Sequence, residues 1–172
     1  NTVYCQYTVN GNAYRESCNC YTLTQNTNTQ RGSVWNNNRI NLTQSFDFTF
    51  DVLLGCNDAG ADGIAFVLQP ISTSVGGNGS GLGYGGINPA LGVTLDTYQN
   101  SSPDNDPSYD HIAIQLNGNV NHSSPLTITS ATPISASSNN VEDCQIHVLK
   151  IVWDASITTM TIYFDAVQRL IV

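Results

Sequence analysis

Five positions in one short stretch carry metal-binding donors, three of them at a regular spacing. In Leu95-Asp96-Thr97-Tyr98-Gln99-Asn100, the residues Asp96, Tyr98 and Asn100 stand two apart. An extended chain projects such residues to one side. Asp96 and Asn100 offer side-chain oxygens, and the Tyr98 main-chain carbonyl offers another. Asp106, just before Pro107, can swing back to add a carboxylate, with Asp104 as the alternative. Calcium takes roughly six to eight oxygens of these kinds at about 2.3–2.6 Å, waters included. His111 opens the next strand and faces the same loop. Imidazole suits a softer metal, so His111 points to a neighbouring transition-metal position. Each Asp or Asn taken singly is better explained as a turn former. It is the whole string that indicates a cation.

Two further stretches have chemistry to offer. Asp62 lies in Gly60-Ala61-Asp62-Gly63, ahead of the apolar run Ile64-Ala65-Phe66-Val67-Leu68. Read plainly, it begins a turn before a buried strand. Gly83-Tyr84-Gly85-Gly86 lets a backbone approach a ligand closely, and also reads simply as a flexible loop.

Together these segments resemble the legume (L-type, concanavalin A-like) lectins, over roughly residues 33–164. The string Asp96 to Asn100, followed by Asp106-Pro107-Ser108-Tyr109-Asp110-His111-Ile112-Ala113-Ile114, is similar to the metal loop of that family. The resemblance implies calcium ligands at Asp96, Tyr98 (through its carbonyl), Asn100 and Asp106. It implies a second divalent metal, such as Mn2+, shared with His111. The family often has a Glu two residues before the first metal-binding Asp, where this chain has Thr94. Loss of that carboxylate weakens the second metal site. Asp62 resembles the family's aspartate after a cis Ala-Asp peptide, which accepts bonds from sugar hydroxyls. Asn100 takes a sugar ligand's role as well. Gly83 is matched to the backbone N–H that binds sugar, with Tyr84 as a stacking or wall residue. The implied function is calcium-dependent binding of a mannose/glucose- or galactose-type glycan without catalysis. Calcium alone, stiffening an adhesion domain, is an alternative. So is a glycoside hydrolase, but the only glutamates, Glu16 and Glu142, stand in unrelated contexts.

Elements must hold these residues in place, and their pattern is β. Phe46 to Val52 is apolar at every second place, as in a strand with one buried face. Residues 64–68 and 91–95 read as inner strands. His111 to Leu116 alternates and ends at Asn117-Gly118, a hairpin turn signal. Residues 148–153 and 159–164 flank Asp154-Ala155-Ser156 as a second hairpin. No segment has helical periodicity. The expectation is an all-β, two-sheet antiparallel sandwich (jelly roll), a single domain over residues 1–172. Residues 72–86, rich in Gly and Ser, read as a flexible surface loop.

Composition narrows the partners. The 172 residues carry a net charge of −8 with five scattered basic side chains, which excludes a nucleic-acid or anionic-membrane surface. No apolar run reaches the ~20 residues of a membrane span. Cys5, Cys18, Cys20, Cys56 and Cys144 lack zinc-site spacing and read as disulfides of a secreted or cell-surface protein, with one thiol left over. The chain starts at Asn1 without a signal segment, as in a mature or excised piece. The apolar end Leu170-Ile171-Val172 asks for a pairing partner. With the odd cysteine, and against the lectin pattern, it suggests missing C-terminal strands that a second chain could supply.

Overall fold

The structure, a computed structural model, describes residues 6–77 and 79–172. Twelve strands form among the described residues: β1 (Tyr7–Gly11), β2 (Tyr14–Ser17), β3 (Cys20–Thr22), β4 (Gly32–Asn36), β5 (Phe46–Val52), β6 (Gly63–Leu68), β7 (Leu91–Asp96), β8 (His111–Leu116), β9 (Thr132–Pro133), β10 (His147–Asp154), β11 (Thr159–Phe164) and β12 (Val167–Ile171). Two four-stranded sheets, ordered β12-β11-β10-β5 and β6-β7-β8-β9, make up the body, and β1-β4 and β2-β3 are smaller pairs. Every pairing is antiparallel. This is the antiparallel two-sheet arrangement that the alternation predicts.

Alternation also decides which side chains meet. Leu149 and Ile151 of β10, Met160, Ile162 and Phe164 of β11 and Leu170 of β12 point inward from one sheet. Val93 and Leu95 of β7 and Ile112 and Ile114 of β8 meet them from the other. Phe66 of β6 lies 6.0 Å from the Phe48 ring of β5 and 5.9 Å from that of Phe50, closing the layer at one side. With a period of two, Thr94 and Asp96, and likewise His111, Ala113 and Gln115, must face away from this core. Yet all five are buried. Something covers that reverse face.

The cover is the glycine-rich segment. Its described residues are not a free surface loop, which corrects the sequence expectation. Tyr84, Ile87 and Ala90 form a second apolar cluster with Trp35, Ala65, Val67, Val75 and Val120. The Tyr84 hydroxyl donates to the Gln115 carbonyl at 2.8 Å. Asn117 and Gly118 both adopt positive φ (58° and 69°), as the hairpin signal requires. The Gly118 carbonyl accepts the Gly86 N–H at 3.0 Å. The chain beyond is wider than a two-residue hairpin, and it returns to β8 only where Leu116 N–H meets the Leu126 carbonyl at 2.8 Å.

The apolar terminal run has its pairing partner within the chain. β12 lies on β11, and Leu170 enters the core. Cys56 is bonded to Cys144, tying the segment before Asp62 to the approach of β10. Cys18 is also disulfide-bonded. Cys20 is a free, exposed thiol. Cys5 lies outside the described residues.

His147, at the start of β10, stacks on Phe164 with ring centroids 5.0 Å apart. It meets the carboxylates of Asp165 at 2.8 Å and Asp143 at 3.2 Å. Burial, the largest single influence, pulls its pKa down, but the hydrogen bonds and the charges of the two carboxylates together outweigh it and leave the pKa above the ordinary value of 6.5. A histidine whose folded pKa is raised stabilises the fold below its unfolded pKa, and that contribution is lost as pH rises through the folded value. The wild type's advantage over His147→Gln in thermal midpoint should therefore be largest below pH 6.5 and shrink above it. A difference that is flat or grows with pH would contradict this account.

Candidate functional site

One end of the β6-β7-β8 sheet gathers the residues singled out by type. β7 ends at Asp96 and β8 begins at His111, and the two are direct cross-strand partners. On the other side of Asp96 stands Gly63, the first residue of β6. A Cβ on Gly63, which has φ of 132°, would come 2.2 Å from the Leu95 carbonyl oxygen. Only glycine allows this close pairing, and the pairing holds Asp62 beside the end of β7. The Ala61-Asp62 peptide is cis. The Asp62 carbonyl accepts the Thr97 N–H at 3.1 Å.

The loop between β7 and β8 folds back on itself. The Asp96 carboxylate accepts the Tyr98 N–H at 3.0 Å. Asp106 accepts the Asn100 N–H through Oδ2 at 2.7 Å, and its own N–H donates to the Asn100 carbonyl at 3.3 Å. This reciprocal clasp closes the loop and sets Asp106 beside Asn100. Asp104 is buried in the same loop, so both carboxylates converge, but Asp106 is the one clasping Asn100.

The electrostatics are those of an unneutralised anionic cluster. Burial pushes the Asp96 carboxyl up to about 8; the Tyr98 N–H opposes, and repulsion from Asp106, Asp62 and Asp104 adds to the rise. Burial raises Asp106 to about 6, with Asp104 adding to the rise and the Asn100 N–H opposing it. Asp62 is raised by burial alone. Among the described residues, two buried oxygens here, Asn100 Oδ1 and Asp106 Oδ1, have no hydrogen-bond partner. Buried polar atoms are seldom left so, and buried like charges call for a counter-ion. The donor set is all oxygen on the Asp96–Asn100–Asp106 side, so these residues fit a hard divalent cation.

Sequence reasoning missed two neighbours. His122, in the segment after β8, brings its Nε2 to 2.8 Å from that of His111. Its own N–H is held by the Asp104 carbonyl at 2.8 Å. Burial, then the proximity of His122, pushes His111 down to about 4, despite its bond to the Tyr109 carbonyl. Both rings are therefore neutral at neutral pH, since burial also lowers His122. Eleven residues and a turn separate the two histidines, so no spacing rule connects them. Glu142 is the second. It is buried beside Asp110, Thr97 and Asp58, and burial lifts it to about 7. A Cβ on Gly60 would sit 2.6 Å from Glu142 Oε1, so glycine there lets the Asp62 loop pack over this carboxylate. Glutamate's context is thus not unrelated to the site, as the sequence alone suggested, although the side chain is covered rather than presented.

Gly83 and Tyr84 fare differently. Gly83 has φ of 71°, and a Cβ there would meet nothing nearer than 4.0 Å. Among the described residues no hydrogen bond joins it to Asp62 or Asn100. Tyr84 requires a correction. Its ring is 0% exposed, lying flat against Gly92 with ring carbons 2.8–3.0 Å from where a Cβ would be. It cannot serve as a stacking wall; it anchors the loop to the sheet. Tyr98, by contrast, is exposed.

Comparison with known proteins identifies the family and agrees with the fold. The sequence family described as the legume lectin beta-barrel domain matches residues 1–171. The chain belongs to the legume (L-type) lectin family. Among solved structures, the lectin of Bauhinia forficata in complex with GalNAc superposes with a TM-score of 0.74 at 21% identity, covering 97% of this chain and 77% of that one. Lectin I-B4 of Griffonia simplicifolia, in its metal-free form, gives 0.70 at 21% identity over 98% and 77%. Both share the concanavalin A-like jelly roll. Among curated proteins, the serine-rich adhesin for platelets of Staphylococcus aureus strain MRSA252 is 40% identical over 104 residues, which is 57% of this chain and 8% of that protein. The same adhesin from strain USA300 is 39% identical over 57% of this chain and 5% of its own length. The chain thus spans less than a tenth of the length of these relatives.

The packing of Tyr84 on Gly92 is directly testable. Gly92→Ala forces a methyl into the ring and should cost about 1–3 kcal/mol, read as a lower urea midpoint. An unchanged midpoint would mean that the loop is not anchored there.

Proposed function

We propose that this chain is a calcium-dependent carbohydrate-binding module without catalytic activity, displayed outside the cell as part of an adhesin. The observation that carries this reading is the convergence of Asp62 and Asn100 on one buried carboxylate cluster. Calcium would be held by side-chain oxygens of Asp96, Asn100 and Asp106 and the Tyr98 carbonyl, supplying the positive charge that lets these carboxylates remain ionised side by side. The Asp106 clasp fixes the Asn100 backbone, and with Oδ1 committed inward its amide nitrogen is free to donate to a sugar hydroxyl. Asp62, half-buried and held by the Thr97 N–H, accepts hydroxyl bonds from the same sugar. Gly83 contributes a backbone donor from the covering loop. Tyr98, next in the loop after Thr97 and exposed, offers an aromatic face to a ligand.

The ligand class is a neutral hexose glycan of the mannose/glucose or galactose type. A shallow site of this kind binds single sugars weakly, and avidity comes from several modules on one surface. The names of the staphylococcal relatives favour a second reading, in which the domain adheres through protein contacts and calcium only stiffens the loop. Glycoside hydrolysis needs two carboxylates about 5–9.5 Å apart around a sugar. Glu142, the one glutamate near the cluster, is 5% exposed and lies beneath the Asp62 loop.

A glycan array probed with and without EDTA separates these readings. Glycan binding should vanish with EDTA and return with calcium. Asp62→Ala removes a charged acceptor, a loss of about 1.5–3 kcal/mol or roughly ten- to a hundredfold in affinity. Binding retained in that variant would contradict the placement of the sugar, and an array with no hits from the calcium-loaded protein would favour the protein-contact reading.

A further inference from the structure

Ile134 and Val141 are both buried in the core, at 0% and 1% exposure. The chain between them leaves the sandwich and returns, and Asp110 closes the neck of this loop. Its carbonyl accepts the Ile134 N–H at 3.0 Å, its N–H donates to the Asn139 carbonyl at 3.1 Å, and its Oδ2 accepts the Val141 N–H at 2.7 Å. The loop is thus held at both ends by one residue. A cavity of about 330 Å3 is lined by its residues Ser135 to Asn139, by Pro133 of β9 and by Arg169 of β12. That volume is at the lower end of the range for small-ligand sites. Pro133 pairs with His111, which pairs with Asp96. Two strand spacings, about 10 Å, therefore separate Pro133 from the calcium cluster.

Arg169 is the one charged group in the lining. Its Nε and Nη2 both donate to the Pro133 carbonyl, at 3.0 and 2.7 Å. This uses the side edge of the guanidinium and straps β12 to β9. The end-on edge, made by Nη1 and the second hydrogen of Nη2, has no partner among the described residues. No ion pair among them neutralises the charge either. Asp110, the acid at the neck, is committed to Val141. A neutral donor would satisfy the Pro133 carbonyl as well, so the strap does not account for a cation. In a chain with 13 acidic and five basic side chains, an arginine without a carboxylate is set apart. The N–H groups of Ala136, Ser138 and Asn139 also have no hydrogen-bond partner among the described residues.

We propose that Arg169 and the loop from Ser135 to Asn139 form a second binding site, for the oxyanion of an acidic sugar. A planar guanidinium fork matches the paired oxygens of a carboxylate or a phosphate. The loop N–H groups are further donors to the same anion. The Pro133 carbonyl fixes the plane of the guanidinium before a ligand arrives, which lowers the ordering cost of binding. The serine hydroxyls and Asn139 can each donate and accept, as sugar hydroxyls require. The inference stands apart from the calcium-dependent reading, since none of these residues belongs to that cluster.

The test is a titration of the full chain, labelled with nitrogen-15, with glucuronate, glucose 6-phosphate and glucose, followed by NMR with calcium and after its removal on a chelating resin. At least one of the two acids should shift the Arg169 Nε–H and the N–H signals of residues 135–139 saturably, with or without calcium, and which acid does so names the oxyanion. Glucose should leave the Arg169 signal in place. Arg169→Gln should weaken the acid at least about tenfold, the loss of a charge-assisted hydrogen bond. Ser137→Asp changes an exposed position, leaves the strap intact and puts a carboxylate into the cavity, so it should weaken the acid likewise. Wild-type affinity in Ser137→Asp would overturn the assignment. So would an Arg169 signal that neither acid moves, that glucose moves as strongly, or that responds only when calcium is bound.

Discussion

Buried negative charge is what the rest of this structure is arranged around. Asp62, Asp96, Asp104 and Asp106 converge at one end of β6, β7 and β8, and burial with mutual repulsion drives Asp96 up to about 8. Carboxylates in such surroundings cannot all ionise without compensation. Two partnerless buried oxygens, Asn100 Oδ1 and Asp106 Oδ1, stand in the same place. The divalent cation proposed here would resolve the repulsion and the unsatisfied lone pairs together. The same requirement sets the two residues proposed to bind sugar beside it: Asn100 is clasped by Asp106, and Asp62 is held against Thr97.

The sandwich makes that concentration of charge tolerable. The core between the sheets holds β7 and β8 rigidly through Val93, Leu95, Ile112 and Ile114, which leaves their opposite faces in fixed register. Tyr84 then seals the reverse face by packing on Gly92 and bonding Gln115. The disulfide between Cys56 and Cys144 ties the Asp62 segment to the approach of β10. Each device acts on a different flank of the same strand ends.

Much of this was legible in the sequence because it is local. Alternation over Phe46 to Val52, His111 to Leu116 and Thr159 to Phe164 states the strands outright. Tyr84 was misread because a tyrosine among glycines reads as exposed until the sheet beneath it is known to have two buried faces. The strands β1 to β4 and the closure of the terminal run on β11 depend on pairings across the chain that periodicity does not encode. His122 is the clearest case. It reaches His111 only because the Asn117-Gly118 turn and the Asp104 carbonyl bend an otherwise ordinary polar segment back over the site.

Calcium-dependent thermal stability, measured on the wild type and on Asp96→Asn, tests the central claim most directly. A ligand bound only by the folded state raises the midpoint with its concentration. The wild type should gain stability steadily as calcium is added. Asp96→Asn should be at least as stable as the wild type without metal, because a repelling buried carboxylate is gone, and should no longer respond to calcium. A wild type whose midpoint ignores calcium, or an Asp96→Asn variant that responds as strongly as the wild type, would contradict the account.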